Sequence, residues 1–280
     1  MEVLLPSFYF PVEQKYRLPP ALFLRLSLSW LVLRRRDFRT DALACLASLP
    51  RKPLVNGAGY IPAGGPCLVT FNHYYRPGFN VMWLVMALAA ALPADLFERA
   101  RVIMTGEFTY PGKWYAPLGR PLSRFVLERL ARVYGFSTMP PMPPREKDVE
   151  QRARSVRAVL SWLEEADRPV LLLAPEGGDQ SGGRLTRPPA GVGRFIDLLA
   201  ARGLNILPAA GWEQDGAIHL RFGPLFRLDV PQKASRDEFD RAASSVVMGA
   251  IAELLPEGLR GDYRKFPPES SAQPQPGIQL

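Results

Sequence analysis

One of the two histidines in this 280-residue chain stands where proton transfer is feasible. It lies in Leu68-Val69-Thr70-Phe71-Asn72-His73-Tyr74-Tyr75-Arg76-Pro77-Gly78-Phe79-Asn80. This stretch reads as an apolar strand, an Asn-His pair, a Pro-Gly turn and the start of an apolar helix. An imidazole at a strand's carboxyl end titrates near neutrality and suits a general base. A second chemically loaded stretch, Pro175-Glu176-Gly177-Gly178-Asp179, follows the apolar run Val170-Leu171-Leu172-Leu173. Both loops leave strands at their carboxyl ends, where ligands bind in α/β folds. The other histidine, His219, alternates with Ile218, Leu220 and Phe222 on the face of Arg221. That pattern predicts a solvent-facing side chain with no part in catalysis.

The remaining composition narrows the chemistry. Cys45 and Cys67 form no CxxC pair, and with two histidines they give no recognisable metal set. No Gly-x-Ser-x-Gly elbow supports a serine route. A net charge of +8 and a pI near 9.7 favour an anionic partner, whether lipid, acidic carrier protein or phosphorylated small molecule. No nucleic-acid module is recognisable, so nucleic acid is not expected as a partner. Met1 to Pro6 lacks a basic start and an unbroken apolar run, so a secretory signal is not expected. The two scattered thiols fit a reducing, cytoplasmic setting.

The elements that must position these loops alternate between strand and helix. Residues 20–36 form a helical segment with Leu24, Leu28 and Leu31 in register, Trp30 beside them and Arg34, Arg35 and Arg36 at the end. It reads equally as an interfacial membrane helix and as a helix packed on the domain, and the two are compatible. Residues 37–66 read as a helix followed by turns. Residues 79–92 are apolar on all sides and too short to span a bilayer, which predicts a buried helix. Residues 102–104 read as a strand, and 105–121 as a loop carrying Glu107, Lys113 and Arg120. Residues 121–134 read as a helix with Leu122, Phe125, Val126, Leu130 and Val133 inward and Gly135 as its stop. A proline-rich linker covers 139–144.

Asp148 and Gln151 suggest a capping box for a helix whose stripe is Val149, Ala153, Val156, Leu160 and Leu163. Strands at 170–173, 206–208 and 218–222 and helices at 190–202 and 237–255 follow. The Pro/Ser/Gln-rich tail, 266–280, reads as disordered. The expected fold class is α/β, with one domain over residues 50–265 and a mixed, mostly parallel central sheet flanked by helices. An N-terminal helical, interfacial segment at 1–49 precedes it.

Asn72-His73, Ala174-Pro175-Glu176-Gly177 and Ile206-Leu207-Pro208-Ala209 occur in the order and context of three family blocks. Together they resemble the glycerolipid acyltransferase superfamily, typified by 1-acylglycerol-3-phosphate acyltransferase. Its pattern is Asn-His-x4-Asp, then Pro-Glu-Gly-Thr-Arg, then an Ile-Val-Pro-Val-like strand. Gly183-Arg184-Leu185 with Gly191 and Phe195, Thr105-Gly106-Glu107-Phe108, and Arg221-Phe222-Gly223-Pro224-Leu225 resemble further family segments. The resemblance covers residues 50–230. It departs at Gly78, where the family has aspartate, and at Gly178-Asp179, where the family has Thr-Arg.

The resemblance implies a glycerol-phosphate-acyltransferase-like fold for a membrane-associated enzyme of phospholipid metabolism. Such an enzyme moves a fatty acyl group from acyl-CoA or acyl carrier protein to a hydroxyl or amine of a lipid-related acceptor. It needs no cofactor beyond that co-substrate and works at the cytoplasmic face of an anionic membrane. His73 is then the general base, with Glu176 also catalytic. Asn72, Tyr74, Tyr75, Arg76, Glu107, Gly177, Gly178, Asp179 and Arg184 are implied to bind substrate. Glu176, Asp179, Glu107 or backbone carbonyls are open as replacements for the missing orienting acid. Arg76, Arg184 and Arg187 are open as replacements for the missing phosphate-binding cation. Asn72 is expected to hold its loop by hydrogen bonds, and one of Tyr74 and Tyr75 to pack in the core. Two alternatives follow from the departures: a relative that binds lipid or acyl chains without turnover, and a thioester or ester hydrolase.

Overall fold

Short apolar runs bounded by turn residues assemble the core. The computed structural model describes residues 16–142, 145–179, 181–230, 235–264 and 278–279. Eight strands form one sheet: β1 (Leu54–Asn56), β2 (Cys67–Phe71), β3 (Ala100–Thr105), β4 (Ser137–Met139), β5 (Val170–Leu173), β6 (Asn205–Gln214), β7 (Ala217–Phe222) and β8 (Ile278–Gln279). Their order is β4-β3-β5-β2-β6-β7-β1-β8. All pairs are parallel except β6–β7 and β1–β8. The molecule is thus a single α/β domain with a mixed, mostly parallel sheet flanked by helices. Every residue of β2 and β5 is buried. Such strands need cover on both faces, which is why they read as continuous apolar runs.

The cover comes from α1 (Pro20–Leu31), α2 (Phe38–Ala47), α3 (Val81–Ala91), α4 (Ala94–Glu98), α5 (Ala116–Tyr134), α6 (Val149–Glu165), α7 (Val192–Ala200) and α8 (Arg236–Leu254). Leu22 and Leu26 of α1 and Phe38, Ala42, Cys45 and Leu46 of α2 join the same core as the sheet. Helix α3 is buried from Trp83 to Ala90, as its all-round apolarity predicts. At the start of α7, Gly193 leaves room for its neighbour, because a Cβ there would lie 2.0 Å from the Asp240 carbonyl oxygen. The Asp240 carboxylate in turn accepts from the Gly191 and Arg194 amides at 2.7 and 2.8 Å. It satisfies amides at the helix start that have no partner within the helix.

Register fixes what meets at the sheet edge. Thr70 of β2 stands opposite Leu173 of β5 and Pro208 of β6. The residues that follow, Asn72-His73 and Pro175-Glu176, therefore emerge level with one another.

Several expectations need correction. Helix α5 begins at Ala116 and contains Pro121. Its buried face is Ser123, Leu127, Leu130, Ala131 and Val133, while Leu122, Phe125 and Val126 are exposed. Helical spacing alone does not choose between overlapping apolar faces of one helix, and of the expected stripe only Leu130 and Val133 turn inward. Asp148 forms no capping box, because its carboxylate pairs with Arg145. In α6 the buried positions are Val159 and Leu163, and Val149 is exposed. Strand β1 lies where turns were expected. Of the tail, Ile278–Gln279 pairs with β1, and the rest lies outside the described residues.

Candidate functional site

The His73 loop is fixed from both sides. The Asn72 side chain donates to the Gly211 carbonyl at 2.8 Å and accepts from the Gly211 amide at 2.7 Å. This reciprocal pair continues β2 onto β6 through a side chain and leaves neither group unsatisfied. Tyr74 is the core tyrosine, with its ring against Phe79 and close over Gly183, while Tyr75 is half-buried. Arg76 and Phe79 exchange both backbone hydrogen bonds across Pro77-Gly78. Gly78 has φ +84°, so the turn has proline at its second position and a positive-φ glycine at its third, the type II preference. Position 78 is thus a turn tip whose carbonyl accepts from the Tyr16 amide.

Glu176 clamps this loop to the next one. Its Oε2 accepts from the His73 amide at 2.6 Å, and its Oε1 accepts from the Thr186 amide at 2.9 Å. The carboxylate is buried. Glu176, expected to be catalytic, thus grips the backbone of His73 through its carboxylate. Burial raises its carboxyl above the ordinary 4.5, against the lowering effect of the His73 and Thr186 amides and of the His73 charge. A carboxyl raised on folding stabilises fully below its unfolded pKa, and that contribution is lost as pH rises through the folded value. Glu176→Gln does not titrate there. The stability of the wild type relative to this variant is therefore expected to fall as pH rises from about 4 towards neutrality. Urea unfolding of both proteins at stepped pH checks this, and a difference that is flat or grows with pH contradicts it.

The His73 side chain is 15% exposed, and Asp179 Oδ1 stands 3.1 Å from its Nδ1. The pair lacks hydrogen-bond alignment, and Nδ1 is buried without another partner among the described residues. Asp179 rides on Gly177-Gly178, where Gly177 takes φ +69° and a Cβ on Gly178 would meet nothing within 4 Å. The 3.1 Å separation is within hydrogen-bond range, and the angle falls short. With Nδ1 facing a carboxylate, Nε2 is the ring nitrogen left clear of Asp179.

Other expected residues are engaged elsewhere. The Arg76 Nε donates to Glu213 Oε2 at 2.6 Å within a buried pair, so its charge is balanced rather than offered to a phosphate. Glu107 is buried between Arg124 and Arg145. Burial raises its carboxyl, but those two guanidinium groups outweigh burial and hold it below the usual value. Neither of these partners belongs to the His73 loop. Arg184 is exposed, next to buried Gly183 and Leu185. His219 is not fully solvent-facing, since its ring stacks on Trp212 with centroids 5.2 Å apart.

Three residues had no place in the sequence reading. Thr186 takes Glu176, and Glu213 takes Arg76 and the Gly216 amide. Tyr263 is buried, and its hydroxyl is pushed up to about 12 by burial, with Arg187 lowering it and Asp262 and Glu176 raising it. Glu213 sits just before the Asp215-Gly216 turn and reads as ordinary turn chemistry. Nothing in the spacing of Thr186 or Tyr263 pointed to Glu176.

Among the described residues no group of three His, Cys, Asp or Glu side chains is placed to hold a metal ion. No described helix is long and apolar enough to cross a membrane. No family model matches the chain, and no curated protein matches it. Among solved structures it is similar to the crystal structure of the 1-acyl-sn-glycerophosphate (LPA) acyltransferase, PlsC, from Thermotoga maritima. The two share 14% identity over 84% of this chain and 86% of that chain, with a TM-score of 0.47.

Proposed function

We propose that the chain is an acyltransferase that moves an acyl group from a CoA or carrier-protein thioester to a hydroxyl of a lipid-related acceptor. The observation that carries this reading is the 3.1 Å approach of Asp179 to His73 Nδ1 at the edge where β2 and β5 end. In the proposed step the acceptor oxygen attacks the thioester carbonyl carbon as its proton passes to His73 Nε2. Collapse of the tetrahedral intermediate breaks the C–S bond, and the leaving thiolate takes that proton. Asp179 holds the ring and steadies the imidazolium, in place of the family aspartate that Gly78 replaces. Because Asp179 occupies the family arginine's place, the preferred acceptor carries no phosphate against it. The enzyme works at the cytoplasmic face of an anionic membrane.

The test is thiol release from acyl-CoA and acyl carrier protein, with and without a panel of lipid-like alcohols and amines. Acceptor-dependent release with an acylated product supports transfer. Equal release without any acceptor makes the protein a hydrolase. The misaligned Nδ1 favours a second reading, acyl-chain binding without turnover. Retention of a fluorescent fatty acid with no thiol release would establish that reading instead.

A further inference from the structure

The proline-rich linker that leaves β4 runs up against the loop that carries Asp179. Met139 ends β4, and its carbonyl accepts from the Gly106 amide at 2.8 Å. Pro140 and Pro141 follow, both buried, and neither has an amide hydrogen to offer. One side chain of α6 takes their carbonyls: Arg152 Nη2 donates to Pro141 at 3.0 Å and to Pro140 at 3.4 Å. Arg152 Nη1 donates to the Met142 sulfur at 3.2 Å. Arg152 is half-buried and forms no ion pair among the described residues, since its neighbours Arg145 and Asp148 pair with each other. Two carbonyls and a thioether are thus what it holds.

This grip fixes Met142, and Met142 stands over Gly177. A Cβ on Gly177 would lie 2.9 Å from Met142 Cγ and 3.3 Å from its Cβ. Gly177 opens the glycine pair that carries Asp179. The residue before it cannot swing, because the Glu176 carboxylate is held by the His73 and Thr186 amides. Gly177 itself takes φ +69°, with its amide on the Ala174 carbonyl at 3.2 Å. Beyond it, a Cβ on Gly178 would meet nothing within 4 Å. The loop is thus pinned at Glu176, roofed at Gly177 and roomy at Gly178. Glycine turns to either hand of φ with little cost. Without the roof both glycines could turn, and the carboxylate of Asp179 would lose its aim.

We infer that Met142, locked by Arg152, is a positioning residue for Asp179. Its side chain restricts Gly177 and so keeps the Asp179 carboxylate at its 3.1 Å approach to His73 Nδ1. It acts through the loop and not on the ring. Methionine suits the place, because an unbranched thioether fills the irregular gap above a glycine while its sulfur gives Arg152 an acceptor. The linker that reads as a rigid spacer in the sequence thereby has a task at the site. This role rests on the orienting part proposed above for Asp179 and adds the residues that aim it.

The test reads geometry and rate separately on the full chain. The chain has two histidines, so the His73 imidazole signal in an NMR spectrum is the one that survives in His219→Gln. Met142→Ala moves that signal in the direction in which Asp179→Asn moves it. It also lowers kcat by up to about a hundredfold, the worth of a misplacement of about 1 Å, with KM close to that of wild type. Met142→Leu keeps the volume and with it most of the rate. In the Asp179→Asn background Met142→Ala costs nothing further in kcat, since the carboxylate it aims is gone. Arg152→Lys keeps the charge but not the fork and repeats the Met142→Ala changes, which gives a second reading should Met142→Ala unfold. The proposal is overturned if Met142→Ala leaves the imidazole signal and kcat as in wild type. It is also overturned if Met142→Ala lowers kcat by the same factor with and without the Asp179 carboxylate. A wild type that releases no thiol ends the acyl-transfer reading, while the imidazole signal still decides whether Met142 sets the Asp179–His73 approach.

Discussion

His73→Ala is expected to lower acyl transfer by about a hundred- to ten-thousand-fold, the usual worth of a positioned general base. The fold should survive. The clamp reaches His73 through its backbone amide, which the alanine variant keeps. The imidazole Nδ1 takes no hydrogen bond among the described residues. Asn72 and Tyr74 on either side are unchanged, and they carry the loop's fixed contacts. A structural histidine would give a different signature: lower stability together with lower activity. Thiol release and urea unfolding measured on the same preparations separate the two. Equal turnover by wild type and variant would remove His73 from the mechanism.

What the sequence made legible, and what it did not, follows from the range of the interactions. Strands β2 and β5 were readable because residues buried on both faces leave an unbroken apolar run. The same argument read α3. The meeting of the His73 and Glu176 loops was readable because parallel strands release their loops at one edge. The partners of those loops were not readable. Glu176 finds Thr186, and Arg76 finds Glu213 from the far end of β6. Such pairs depend on where long loops return, which no local period encodes. The α5 face failed for a related reason. Leu122, Phe125 and Val126 form a good apolar stripe, and nothing local says that this stripe faces outward.

The decisive question at the site is which residue orients His73, and the variant series that answers it starts at Asp179. Asp179→Asn is expected to cut kcat by up to about ten-thousand-fold, as loss of the orienting acid does in a Ser-His-Asp triad. KM should change little, since the role is exerted on the ring rather than on substrate. Asp179→Glu should recover part of the rate, because the Gly177-Gly178 hinge lets a longer carboxylate re-aim. Gly78→Asp completes the Asn-His-x4-Asp pattern that the sequence resembles but is not expected to rescue Asp179→Asn. Position 78 is the exposed tip of a two-residue turn at φ +84°, a conformation that costs a residue with a Cβ about 1–2 kcal/mol. Its backbone is also held there by the Tyr16 amide and by the Arg76–Phe79 bonds. Moving the carboxylate toward the ring would require the turn to open. On the proposed mechanism the loop after β5 supplies the acid, and the pairing of β2 with β5 brings that loop to the imidazole. Recovery of kcat in the Gly78→Asp/Asp179→Asn double variant, or wild-type kcat in Asp179→Asn alone, would refute this assignment.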